Sequence, residues 1–183
     1  SHVESGAEFE VVGQWYRPWF YPKHGEDMHQ AVNRECRAVR KSLGMMDAST
    51  LGKIDVQGKD AREFLSRVYT NAWMKLAPGS CRYGLMCNEK GMIIDDGVST
   101  CINDNHFIMT TTTGGAASVY SILEMWLQTE WSDLDVHLNS VTDQFSTVAV
   151  VGPNARKLME ILCQDVDFNK DSFKFMQWRP GTV

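Results

Sequence analysis

Long apolar runs are missing from this chain: no stretch of its 183 residues approaches the roughly 18 consecutive apolar positions that a membrane-spanning helix needs, so none is expected. Runs of Lys and Arg are missing too. With a formal charge of −5 at neutral pH, neither nucleic acid nor an anionic membrane surface is expected as the main partner, which leaves a small molecule or another protein. The five cysteines (Cys36, Cys81, Cys87, Cys101, Cys163) are odd in number, widely spaced and without a CxxC pair. Neither a disulfide framework nor a zinc site is signalled, and the reading is a reducing, cytoplasmic setting. His24 and His29 miss the i, i+4 spacing of a helical metal pair and lack a third ligand, so no metal is expected. The start lacks an initiator Met and an apolar secretory core, while Pro180-Gly181-Thr182-Val183 reads as the beginning of another strand. Both ends are therefore expected to be cuts within a longer chain.

What is present is an ordinary soluble mixture, 43% apolar and 22% charged, long enough to bury a real core. Trp15 to Pro22 sets five aromatics between and beside Pro18 and Pro22, which forbids a regular helix and favours an extended strap. Met28, Val32, Cys36, Val39 and Leu43 recur at helical spacing and predict an amphipathic helix over 26–43 ended by Gly44, with Cys36 as a small core residue. Alternating and β-branched segments predict strands over 52–57, 82–88, 92–101, 106–112, 134–140 and 145–151. Helices are predicted over 59–69, 115–128 and 154–163. Strands joined by tight turns pair antiparallel and need helices over one face, so the class is α+β.

An internal echo supports two similar packing modules: Val56-Gln57-Gly58-Lys59-Asp60-Ala61-Arg62 recurs in form as Val150 to Arg156, with Gly152 in the place of Gly58. In each copy Gly frees the turn, Asp60 or Asn154 is placed to cap, and an apolar stripe follows. Neither copy carries GxGxxG or GxxxxGK, which disfavours a phosphate loop.

The residues that could carry chemistry are few. Asp95-Asp96 interrupts an apolar strand, and successive strand residues face opposite ways, so only one carboxylate can enter any given pocket. The pair is either two solvated acids near a turn or includes one buried carboxyl of shifted pKa. Thr110 to Thr113 followed by Gly114-Gly115 ends a strand and opens a helix, where free N–H groups favour an anion or a polar ligand edge. Asp47-Ala48-Ser49-Thr50 reads as a turn and capping cluster.

Taken together, several segments resemble the aminomethyltransferase (glycine-cleavage T-protein) family, in particular the branch built into multi-subunit flavin-dependent amine oxidases. They are Gly13-Gln14-Trp15, Arg17-Pro18-Trp19, Gly44 to Ile54, Tyr69 to Trp73, Cys81 to Met86, Gly91 to Val98, Thr110 to Gly115 and Leu127 to Trp131. The resemblance implies the first two subdomains of that folate-binding fold, truncated before the C-terminal barrel, with residues 1–54 and 140–183 forming the first and 55–139 inserted as the second. It implies tetrahydrofolate as the ligand, Asp95 as the catalytic carboxylate under the folate ring, and Leu51, Tyr83 and Thr111 beside Asp95 in the pterin pocket. Thr111 stands where glycine-cleavage members usually carry Asn.

The reaction implied is capture, as 5,10-methylenetetrahydrofolate, of the imine that a flavin-bearing β subunit makes from sarcosine (N-methylglycine). FAD, FMN and NAD would lie elsewhere in the parent complex, and the isolated fragment would be inactive. A glycine-cleavage aminomethyltransferase or related folate-dependent demethylase is the alternative within the family. A non-catalytic folate-fold protein for assembly or iron-sulfur maintenance is the alternative of another class.

Overall fold

A computed structural model describes residues 1–183, and their contacts group into two units: residues 1–50, 146–168 and 181–183, and residues 51–145 and 169–180. The class is α+β, with every strand pairing antiparallel.

The second unit is a five-stranded sheet carrying two helices. β4 (Gly52–Gln57), β5 (Cys81–Cys87), β6 (Ile93–Asn103), β7 (His106–Thr111) and β8 (His137–Ser140) run in the order β5-β6-β7-β4-β8. Tight turns explain the meander. Asn88 Oδ1 accepts from Lys90 N and Met92 N, Gly91 takes φ 75°, and Asn103 Oδ1 accepts from Asn105 N. Ile54, Val56, Met86, Cys101, Phe107 and Met109 form one apolar face. Against it pack Ala61, Phe64, Leu65 and Val68 of α2 (Ala61–Val68) and Val119 and Leu123 of α3 (Ala116–Thr129). Phe64 meets Trp131 edge-on at 5.9 Å between ring centroids, and Arg62 ties the loop to the core by donating to Leu76 O and Asp104 Oδ1.

The first unit holds two small sheets. Here the aromatic strap is a true strand: β2 (Trp15–Phe20) pairs with β1 (Glu8–Val12) across a turn at Gly13, φ 59°. β3 (Gly44–Asp47), unseen in the sequence because the helix pattern runs into it, pairs with β9 (Val148–Val151). α1 (Met28–Lys41) opens with a reciprocal capping box between Asp27 and Gln30.

The apolar stripe expected on α1 is not its buried face: Cys36 and Val32 are exposed, while Ala31 is the buried residue. Polar groups fix the helix instead. Arg34 donates to Glu26 and to Tyr21 O, Glu35 accepts from Tyr21 N, and the Arg34 partner holds the Glu26 carboxyl down at about 2. On α4 (Ala155–Leu162) no residue is fully buried, so the apolar stripe expected after Asn154 is not a buried face.

The strand-to-helix echo holds in backbone geometry, with Gly58 at φ 141° and Gly152 at φ 113°. A Cβ at Gly58 would meet Asp135 O at 2.0 Å, and one at Gly152 would meet Val39 O at 2.6 Å. The caps differ from expectation. Asp60 accepts from Asp135 N across the turn, and Asn154 donates to Ser42 Oγ, so neither caps its own helix.

The passages between units fall at 50/51 and 145/146, where the sequence reading set divisions at 54/55 and 139/140. Pairing explains the shift: the whole of β4 is hydrogen-bonded to β7, and β8 lies on its other side. Residues 169–180, expected with the first subdomain, join the second unit through Met176 O to Cys81 N, Trp178 N to Gly79 O and Trp178 Nε1 to Cys101 O.

Phe64 is fully buried at the centre of the core, so Phe64→Ala is expected to cost about 3–5 kcal/mol. Urea unfolding of the chain checks this, and a loss below about 1 kcal/mol would show a core able to collapse around the cavity.

Candidate functional site at one end of the five-stranded sheet

One end of the central ladder gathers the chemistry. Gly52 opens β4 opposite Thr111 at the close of β7, and Asp95 lies near the start of β6 opposite Met86. Alternation along β6 puts Asp95 on the face shared by the buried Met86, Ser99 and Cys101, and Asp96 on the other.

Asp95 is 5% exposed. Its carboxylate faces the turn between β7 and α3. Thr112 Oγ1 donates to Oδ1 at 2.6 Å, and Thr112 N donates to both oxygens at 3.3 Å. Gly115 N then donates to Thr112 Oγ1 at 3.1 Å, linking the carboxylate through a hydroxyl to the N-cap of α3. A Cβ at Gly115 would lie 2.7 Å from both Asp95 Oδ1 and Thr112 Oγ1, so the close approach requires glycine. Burial raises the Asp95 pKa above the ordinary carboxylate value, the Thr112 donors oppose it, and the neighbouring Asp96 charge adds to the rise. Of the readings left open for the acidic pair, the buried, shifted carboxyl is the one found.

The other expected site residues divide. Leu51 directly precedes Gly52, at the same sheet end as Asp95. Thr111 is 2% exposed and its hydroxyl donates to Thr112 O at 2.9 Å, so its side chain serves the turn. Tyr83, half-exposed on β5, donates from its phenol to Asp96 Oδ2 at 2.7 Å, on the opposite face of β6 from Asp95. The Asp96 carboxylate pushes the Tyr83 pKa up. The structure therefore brings Asp95, Thr111 and Leu51 to one sheet end and sets Tyr83 with Asp96.

Two features beside Asp95 had no place in the sequence reading of the site. Thr112 was visible only as one threonine of four, and the exposed apolar tip Met92-Ile93-Ile94 only as strand. A hydroxyl residue two steps before a glycine pair, opposite an acid in an apolar strand, is the signal that marks Thr112. The turn cluster read at 47–50 is present, with Ser49 N donating to Asp47 Oδ1 at 2.9 Å.

The fold and this sheet end define a class. The GCVT N-terminal domain model matches residues 1–183, and the chain belongs to that family. It is 57% identical over 182 residues to the sarcosine oxidase subunit alpha of Corynebacterium sp. (strain U-96), covering 100% of this chain and 19% of that protein. It is 46% identical over 172 residues to the sarcosine oxidase subunit alpha of Rhizobium meliloti (strain 1021), covering 93% of this chain and 17% of that protein. It is 30% identical over 164 residues to the aminomethyltransferase of Thermotoga maritima, covering 90% of this chain and 42% of that protein. The crystal structure of the glycine cleavage system aminomethyltransferase T from Bartonella henselae superposes with a TM-score of 0.80 at 25% identity, covering 96% of this chain and 44% of that one. The chain thus spans about a fifth of the length of its sarcosine oxidase relatives.

A carboxyl whose pKa is higher folded than unfolded lowers stability as pH rises, because between the two values the native state binds the extra proton. Wild-type stability should therefore carry a loss, complete above the folded pKa of Asp95, that Asp95→Asn removes. Urea unfolding from about pH 4 to 7 should show the difference growing in favour of Asp95→Asn and then levelling. A pH-independent difference refutes it.

Proposed function

We propose that this chain is the folate-binding, one-carbon-capturing region of a sarcosine oxidase α subunit. The observation that carries this is 57% identity across the whole chain to such a subunit, against 30% to an aminomethyltransferase from Thermotoga maritima. Support comes from Asp95. A buried carboxylate beside the exposed apolar Met92-Ile93-Ile94 tip fits a pterin, which presents N–H donors at its edge and an apolar ring face.

Tetrahydrofolate, when bound, supplies the nitrogen nucleophile that takes up the one-carbon unit. The work of this chain is to orient and stabilise. Asp95, kept largely dry, accepts from the ligand and stabilises positive charge on an iminium donor at a distance where water would otherwise screen it. Leu51 lines the pterin pocket, Tyr83 would reach it only by leaving Asp96 on the other face of β6, and Thr111 contributes through the backbone it holds, its hydroxyl being committed to Thr112 O.

The donor is the imine from oxidative demethylation of sarcosine by the flavin-bearing β subunit, and the product is 5,10-methylenetetrahydrofolate. Uncaptured imine hydrolyses to formaldehyde. FAD, FMN and NAD belong to other parts of the complex, whose setting is cytoplasmic.

In the full parent complex supplied with sarcosine and tetrahydrofolate, Asp95→Ala is expected to release formaldehyde in place of methylenetetrahydrofolate while oxygen is still consumed. An unchanged methylenetetrahydrofolate yield would make Asp95 a structural acid. By isothermal titration, the 183-residue chain alone is expected to bind tetrahydrofolate far more weakly than the full-length subunit, because a partial pocket leaves the ligand wet. Equal affinity would refute that.

A further inference from the structure

The turn that receives Asp95 is built around one hydroxyl. We propose that Thr112 is the positioning residue for Asp95, clamping one carboxylate oxygen so that the other is presented to the ligand; this rests on the folate-capture reading.

Three observations converge on it. First, the short hydrogen bond at 2.6 Å runs from Thr112 Oγ1 to Oδ1, whereas Oδ2 receives only the 3.3 Å branch of the bifurcated Thr112 N–H. A carboxylate has about four acceptor sites, so Oδ2 keeps capacity for a ligand N–H. Second, Thr112 Oγ1 is itself fixed by the 3.1 Å donation from Gly115 N, which determines where its proton points. With the backbone N–H occupying one lone-pair direction, the hydroxyl proton is directed at Asp95. Third, the absence of a side chain at Gly115 is needed by both atoms of the clamp, since a Cβ would stand 2.7 Å from each. Gly115 has φ −85°, an ordinary value, so this close approach and not backbone strain makes alanine costly there.

Geometry also sets the electrostatics. The titratable groups whose charge couples to Asp95 are Asp96, next to it on the strand but on the other face, and the phenol of the buried Tyr69 after α2. Opposite on β5 stands Met86, and the first turn of α3 carries no acid. Thr112 is thus the chief side chain favouring the ionised carboxylate against burial. Removing its hydroxyl moves the Asp95 pKa further up, so any step needing the ionised form loses its acid limb toward higher pH.

The test uses the full parent complex with sarcosine and tetrahydrofolate, reading methylenetetrahydrofolate formed per oxygen consumed across pH. Thr112→Val should lower that ratio by on the order of tenfold at neutral pH, the worth of one charge-assisted hydrogen bond, and shift its acid limb upward. Thr112→Ser should restore both, and Gly115→Ala should mimic the valine variant. A valine variant with a wild-type limb, while Asp95→Asn abolishes capture, overturns the role of Thr112 and leaves the folate reading intact. Equal loss in the valine and serine variants also overturns it, as a packing effect. Capture untouched by Asp95→Asn makes Asp95 a structural acid and overturns this inference, whereas a wild-type complex that forms no methylenetetrahydrofolate sinks the folate reading and this inference with it.

Discussion

The antiparallel register of β4 against β7 is the constraint on which the second unit rests. Six residue pairs, from Gly52 with Thr111 to Gln57 with His106, fix which side chains face the helices. Because side chains alternate, a slip of one residue would turn Ile54, Val56, Phe107 and Met109 out of the core and bring Asp55 and His106 in. Those two are hydrogen-bonded to each other on the outer face at 2.5 Å, so the slip would bury a polar pair as well as expose the apolar set. The same register brings Gly52 against Thr111 and Ala116, so the entry to α3, and with it the turn that meets Asp95, is set by the ladder.

Most elements of this unit were legible because their signals were local. Strand β4 was expected over the residues it occupies, and the Asn88 to Gly91 and Asn103 to Asn105 turns announce hairpins through side chains that bond their own backbone. What escaped was decided by partners distant in sequence. β3 is four residues long and gains its identity only from β9, a hundred residues on. Cys36 and Val32 fit a helical stripe, yet Arg34 and Glu35, reaching the backbone around Tyr21, set the orientation of α1. Polar contacts to main chain leave no periodic trace.

The candidate site shows the same limit at finer scale. Alternation allowed at most one acid of the pair into a pocket but left open whether either is buried, and the class of chemistry was implied only by the resemblance. The Thr112 hydroxyl between Asp95 and Gly115 could not be read, because Thr110, Thr111, Thr112 and Thr113 are equivalent as letters. Their fates differ. Thr110 bonds the backbone of Val98 in both directions, Thr111 bonds Thr112 O, and Thr112 bonds the acid. One residue type serves three different tasks within a single strand end.

The path of the chain has its own consequence. It passes from one unit to the other at 50/51, 145/146, 168/169 and 180/181, so neither unit is a contiguous piece of polypeptide. A cut between Asp47 and Val148 parts β3 from β9, and one between Cys101 and Met176 parts the 176–178 strap from Gly79, Cys81 and Cys101. Recombination that swaps one unit between relatives must therefore exchange several separate segments together. Such an architecture is inherited as a block.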